Sequence, residues 1–260
     1  MADPADTRGV SEIVGFILVF SLVVGTISLV YASGLSGLDD TRDAERIANA
    51  ERAFDVLANN FQQMGRGEAP NRATEMKLAE AQLSTSTRRE VSIGADGVEP
   101  AVANSSTIRY NPGSDTNIVY ENGAVIRVDN GNAVMLKEPD FLFDGGNVVV
   151  RYIEPQGSSQ SIGGTSTTVL IRAERTSSDV LVNRESTTGI EIKMQTHPER
   201  AQVWQDYYNE SIKSARTDGN AAGFCTTSNV GGSDTVQIEC KPFNADKLAV
   251  SKVQIGVELT

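Results

Sequence analysis

Between Glu12 and Asp39 no side chain is charged, and residues 13–31 form an apolar run of about 19 residues. A helix of that length covers roughly 28 Å at about 1.5 Å per residue, close to one hydrocarbon layer. Helical backbone satisfies its own hydrogen bonds, which is what a bilayer interior demands. A second helical pattern follows. Ile47, Ala50, Phe54, Leu57, Phe61 and Met64 step by three and four, while Arg42, Asp43, Glu45, Arg46, Glu51 and Arg52 dress the other faces. Gly34 and Gly37 predict a loosening between the two stretches, and Gly65, Gly67 and Pro70 predict a stop. Residues 71–89 fit a strand or a short helix equally. From Glu90 onward the period changes to two. Residues 91–93, 118–120, 125–128, 133–136, 141–143, 148–153, 168–173, 180–182 and 190–194 read as short strands. Asp96-Gly97, Asn122-Gly123 and residues 129–132 read as the turns between some of them.

One helix interrupts the strands. After His197-Pro198, residues 199–216 place Ala201, Trp204, Tyr208, Ile212 and Ala215 along one face. Pro198 and Glu199 both suit a helix start, so His197 reads as a capping or loop residue and Trp204 as a packing anchor. Residues 224–225 and 236–240 flank Gly231-Gly232 as a hairpin, and residues 248–259 alternate as a closing strand with a slip near Lys252. The predicted fold is α+β: a long N-terminal helix, then an antiparallel β-sandwich-like domain carrying one packed helix. The predicted layout is a leader over 1–9, a transmembrane helix over 10–33, an amphipathic helical stalk over 34–65, and an extracellular β-rich domain over 66–260.

The apolar run admits three readings: a cleaved secretory signal, a retained signal anchor, or a processed membrane helix. It is long for a cleaved signal, and its start carries Arg8 against Asp3 and Asp6. The third reading comes from Arg8-Gly9-Val10-Ser11-Glu12-Ile13-Val14-Gly15. This stretch resembles the start of archaeal type IV pilin-like proteins, especially haloarchaeal ones. The resemblance covers the leader and the membrane helix. It implies a prepilin peptidase that cuts between Gly9 and Val10 and leaves the helix in place. Glu12 and Ile13 stand where the haloarchaeal pattern has Pro and Val. Glu12 then reads either as the carboxylate near the mature N-terminus or as an interfacial acid reaching water.

Ser21, Gly25, Ser28 and Ala32 fall at spacings of four, three and four, so they share one helix face. Small faces let membrane helices approach closely, and self-association or packing on another pilin-like subunit is the expected use. The stripe from Ile47 to Met64 fits either packing on the chain's own β domain or a seam between copies.

Composition narrows the partners. A net charge of −11 argues against nucleic acid, because phosphate contacts need clustered Lys and Arg. Arg outnumbers Lys about two to one and the acids are dispersed, as in a surface kept soluble at high salt by carboxylates. Cys225 and Cys240 are the two cysteines, and an exported domain would join them. The sequence has no phosphate loop, dinucleotide fingerprint or Gly-x-Ser-x-Gly elbow. Two cysteines and one histidine are too few for a structural zinc site, and Asp129-Asn130-Gly131-Asn132 reads as a turn rather than a calcium loop. No cofactor, metal or catalysis is expected. Two triplets, Asn104-Ser105-Ser106 in an expected loop and Asn209-Glu210-Ser211 in the expected helix, are N-glycosylation acceptors in form. The leading expectation is a membrane-anchored pilin-like surface protein, a minor filament subunit used in assembly or adhesion. The rival is a monomeric anchored binding module.

Overall fold

The computed structural model describes residues 6–86, 88–218, 225–230, 232 and 234–260, with side chains from residue 12 except 32–37, 39 and 40. Residues 1–5 of the expected leader, together with Phe224 and Gly231 of the expected cysteine hairpin, lie outside the described residues. The chain divides into two units, Met1–Ala48 and Asn49–Thr260.

Helix α1 spans Asp6–Gly65. The expected loosening at Gly34 and Gly37 is absent, since helical backbone continues through both. No proline interrupts this stretch, and a glycine in a helix interior costs only about 1 kcal/mol. The N-terminal apolar helix is followed by a mostly β domain with two sheets and one further helix, α2 (Pro198–Ala215).

The ambiguous residues 71–89 resolve into β1 (Asn71–Leu78), β2 (Ala81–Thr85) and the start of β3 (Arg89–Ala95). The six-stranded sheet contains β2, β5 (Ile108–Asn111), β6 (Thr116–Glu121), β7 (Ala124–Asp129), β8 (Asn132–Lys137) and β11 (Ser161–Gly164), in the order β11-β2-β5-β6-β7-β8. Strands β6, β7 and β8 form a meander on the two expected turns. Asn122-Gly123 and Asn130-Gly131 have positive φ at both residues, as the tight hairpin turn requires.

The eight-stranded sheet runs β4 (Val98–Ser105), β3, β12 (Thr167–Thr196), β14 (Val236–Leu259), β10 (Asn147–Gln156) and β9 (Leu142–Asp144), with β1 on β12 and β13 (Cys225–Asn229) on β14. Its spine is the β12–β14 pair, which holds from Ile171↔Leu259 to Thr196↔Val236. The sequence pattern suggested three separate strands in β12 and two in β14. Register shifts at Arg175/Ser177, Val180/Val182, Thr187/Ile190 and Ile190/Ile192 explain the difference. Each bulge resets the inward–outward alternation, so one strand reads as several. All ladders are antiparallel except β10–β14, which is parallel from Asn147↔Lys247 to Gln156↔Gly256. Parallel neighbours need a long connection, and here it contains β11, β12, α2 and β13.

The C-terminal part of α1 belongs to this domain. Ala50, Phe54, Leu57, Ala58, Phe61 and Met64 are buried. Phe61 meets Tyr120 of β6 edge-to-face at 5.0 Å. Glu51 pairs with Arg127 of β7 at 2.9 Å, and Asp55 and Asn59 accept bonds from Lys137 of β8. Alternation therefore turns Ile118, Tyr120, Val125 and Arg127 toward α1. On the opposite face Ala124, Ile126 and Val128 join a core with Val148, Val150, Tyr152 and Trp204. Both faces of β6 and β7 are covered, which accounts for their near-continuous apolar runs. Of the two readings left open for the stripe, the structure takes the intrachain one for Ala50, Phe54, Leu57, Phe61 and Met64. They are inside the domain and offer no seam to a second copy. Ile47 lies in the first unit.

Candidate functional site

The first candidate region is the apolar segment of α1. Glu12–Tyr31 is long and apolar enough to cross a membrane, with mean hydropathy 2.7 and 0% of it buried in the protein. Phe16, Leu22 and Leu29 are each about two-thirds or more exposed, a degree that water disfavours for a contiguous apolar surface. Two hydroxyls within it are satisfied locally. Thr26 Oγ1 donates to the Val23 carbonyl at 2.9 Å and Ser28 Oγ to the Val24 carbonyl at 2.8 Å. Such back-bonding lets hydroxyls sit in hydrocarbon without a partner. Gly25 has open space where a Cβ would stand, and Ser21, Gly25 and Ser28 are exposed on their common face. The Ala32 side chain lies outside the described residues. Glu12 is exposed at the segment's N-terminal end. Gly9 and Val10 are in helical backbone, and their side chains are outside the described residues.

The second candidate is a buried polar cluster that sequence reasoning missed. Glu121 ends β6 just before the Asn122-Gly123 turn. Thr196 ends β12, His197 caps α2, and Arg200 and Trp204 follow one turn apart on the same helix face. Glu121 Oε2 accepts from Thr196 Oγ1 at 2.8 Å, Arg200 Nε at 3.0 Å and Trp204 Nε1 at 2.8 Å. Its Oε1 accepts from Arg200 Nη2 at 2.9 Å. All four residues are buried. Burial alone would raise the Glu121 carboxyl. The Arg200 charge and the bonds from Arg200, Thr196 and Trp204 outweigh it and hold the carboxyl below its ordinary value. His197 is pushed down by burial first and by Arg200 second. Its Nδ1 accepts from the Glu199 N–H at 3.4 Å, the capping role expected of it. Trp204 is fully buried and stacks on Tyr208 at 5.7 Å, as expected of a packing anchor.

This cluster fastens α2 to the six-stranded sheet. Four hydrogen bonds and the Arg200 charge hold this carboxylate ionised and fixed in place, as suits a structural tie. Two signals were available in the sequence: an acid closing an otherwise apolar strand, and an Arg four residues before the only tryptophan. Their convergence spans more than seventy residues, and nothing local announces it. Among the described residues no group of three or more His, Cys, Asp and Glu side chains is placed to hold a metal ion. An open groove of about 750 Å³ lies over β1, β12 and β14, with Arg72, Arg172, Glu174 and Glu258 among its lining. Its charges are mixed, which favours no single ligand sign.

The remaining expected residues separate. Cys225 and Cys240 are disulfide-bonded, joining directly paired residues of β13 and β14. Asn209 is half-buried on α2 and its Oδ1 accepts from the Cys225 N–H at 2.9 Å. Gln205 Nε2 donates to the Cys225 carbonyl at 2.6 Å, so the helix satisfies both backbone polar groups of Cys225. Asn104 lies on β4 rather than in a loop, with its side chain exposed. Its backbone N–H donates to Glu154 Oε1 at 2.6 Å.

These features define a class: one helix of membrane-spanning length and apolarity, leading into a two-sheet, disulfide-bonded β domain. The chain belongs to DUF7289, a family of unknown function whose model matches residues 8–258, and thus both the apolar helix and the β domain. No curated protein and no solved structure gave a significant match.

Proposed function

We propose that this chain is a non-catalytic, pilin-like surface protein. Glu12–Tyr31 holds it in the membrane lipid, and the β domain faces outward. In this reading the two sheets form a sandwich whose open side is closed by α2. A prepilin peptidase removes residues 1–9, and the mature chain joins other pilin-like subunits as a minor component used in assembly or adhesion. No nucleic acid and no cofactor take part. The observation that carries the reading is the double character of α1: an exposed Glu12–Tyr31, uncharged from Ile13 onward, and a second stretch, Ala50 to Met64, that is buried in the β domain. An anchor that is also a structural part of its head is the layout a retained helix needs.

The deciding experiment is mass spectrometry of protein recovered from membranes, read for its first residue. A chain beginning at Val10 supports the proposal. A start at Met1, or loss of the whole apolar run, overturns pilin-type handling.

A solitary anchored binding module is the second reading. It is favoured by the burial of the stripe, which removes one surface that copies could share. Gly25→Cys separates the two readings, because a self-adduct across the Ser21, Gly25 and Ser28 face requires packed helices. Recovery of only uncrosslinked chain supports the solitary module.

A further inference from the structure

We infer that Asn104, and not Asn209, is an N-glycan acceptor of this chain, its donor being a lipid-linked oligosaccharide phosphate. The inference rests on the outward orientation proposed above. Both asparagines have the required triplet, so the sequence treats them alike. The structure does not. Transfer needs the asparagine amide and the hydroxyl two residues on to be presented together. In extended chain, residues i and i+2 point to the same side. In a helix they diverge by about 200°. Asn104 lies one residue before the end of strand β4 and Ser106 directly follows the strand, whereas Asn209 and Ser211 lie within α2.

Environment separates them further. The Asn104 side chain is exposed and makes no hydrogen bond among the described residues, while its backbone is held independently by Glu154. A sugar there displaces nothing. Asn209 is half-buried against β13 and already serves the Cys225 N–H. A sugar on its Nδ2 would have to leave through the α2–β13 contact. Ser106 is buried and its N–H donates to the Pro155 carbonyl at 3.3 Å. Transfer therefore requires the end of β4 to lift from β10 and free Ser106, a local opening at a strand terminus, whereas presenting Asn209 with Ser211 would require α2 itself to unwind. In the reaction Asn104 Nδ2 attacks the sugar C1 and an N–C1 bond forms. The C1–O bond to phosphate breaks, the lipid phosphate leaves, and the amide proton passes to a base of the transferase.

The test uses full-length protein isolated from membranes of its native cells. Peptide mapping should show the Asn104 peptide shifted by a glycan mass and the Asn209 peptide bare. Asn104→Gln and Ser106→Ala should each return the intact mass to that of the unmodified chain, and Asn209→Gln should leave the mass shift in place. Unchanged thermal midpoints check that the variants fold. Protease digestion of intact cells reports orientation separately. A bare Asn104 on a surface-accessible domain overturns this inference alone. A bare Asn104 on a protected domain overturns both it and the outward reading. A glycan on Asn209 overturns the discrimination between the two sites.

Discussion

Burying a carboxylate is costly unless its acceptor positions are filled, and at Glu121 Thr196, Arg200 and Trp204 fill them. Removing one partner of such a pair leaves an uncompensated buried charge. Glu121→Ala should therefore destabilise the protein by about 3–5 kcal/mol, read from urea denaturation at neutral pH. The pH dependence has a fixed sign. The folded carboxyl lies below its unfolded value, so its contribution is fully present above about pH 4.3 and is lost as pH falls through the folded value. Wild type and Glu121→Gln should differ most at neutral pH and converge on acidification; a constant gap down to about pH 2 would contradict this assignment. Tyr152 offers the opposite case. Its hydroxyl is buried with no partner among the described residues, and burial pushes its ionisation well above the ordinary range. Tyr152→Phe should leave the thermal midpoint unchanged or raise it, since the lost hydroxyl makes no bond to forfeit.

At the scale of elements, β13 depends on its ties. It is a five-residue strand with four of its side chains exposed, held by pairing to β14, by the Gln205 and Asn209 contacts from α2, and by Cys225–Cys240. The disulfide closes a span of 15 residues, for which the chain-entropy account gives about 3 kcal/mol. Melting with and without reductant, or Cys225→Ser with Cys240→Ser, should show a loss of that order. A midpoint insensitive to reduction would mean that pairing to β14 and the α2 contacts hold the strand without the disulfide. Helix α1 is likewise two elements in one. Its apolar segment is legible from charge and length alone. Its amphipathic segment is legible as a helix, but which surface covers the stripe was open until β6 and β7 were seen against it.

For the whole molecule, the division at Ala48 and Asn49 carries a direct consequence. The partners seen against this stretch of α1, Tyr120, Arg127 and Lys137, lie in the second unit. Deleting residues 1–48 should give a water-soluble domain with the thermal midpoint of the full chain in detergent. A deletion that also removes residues 49–65 exposes the face of β6 and β7 that α1 covers and should aggregate. The net charge of −11 supports solubility of the free domain.

The sequence by itself determined the features set by local period and composition: the membrane-length helix, the amphipathic stripe, the two Asn-Gly turns, the helix after Pro198, and a β-rich remainder with paired cysteines. These depend on neighbours within a few residues, where spacing and turn chemistry dominate. Tertiary structure decided the rest. It merged three expected strands into β12, because bulges break the alternation by which strands are recognised. It made β10 and β14 parallel across a long connection. It brought Glu121, Thr196, Arg200 and Trp204 together, and it gave two glycosylation triplets of the same form different surroundings. Each of these outcomes is set by contacts between residues far apart in the chain, and burial, the quantity that assigns their roles, has no local signature.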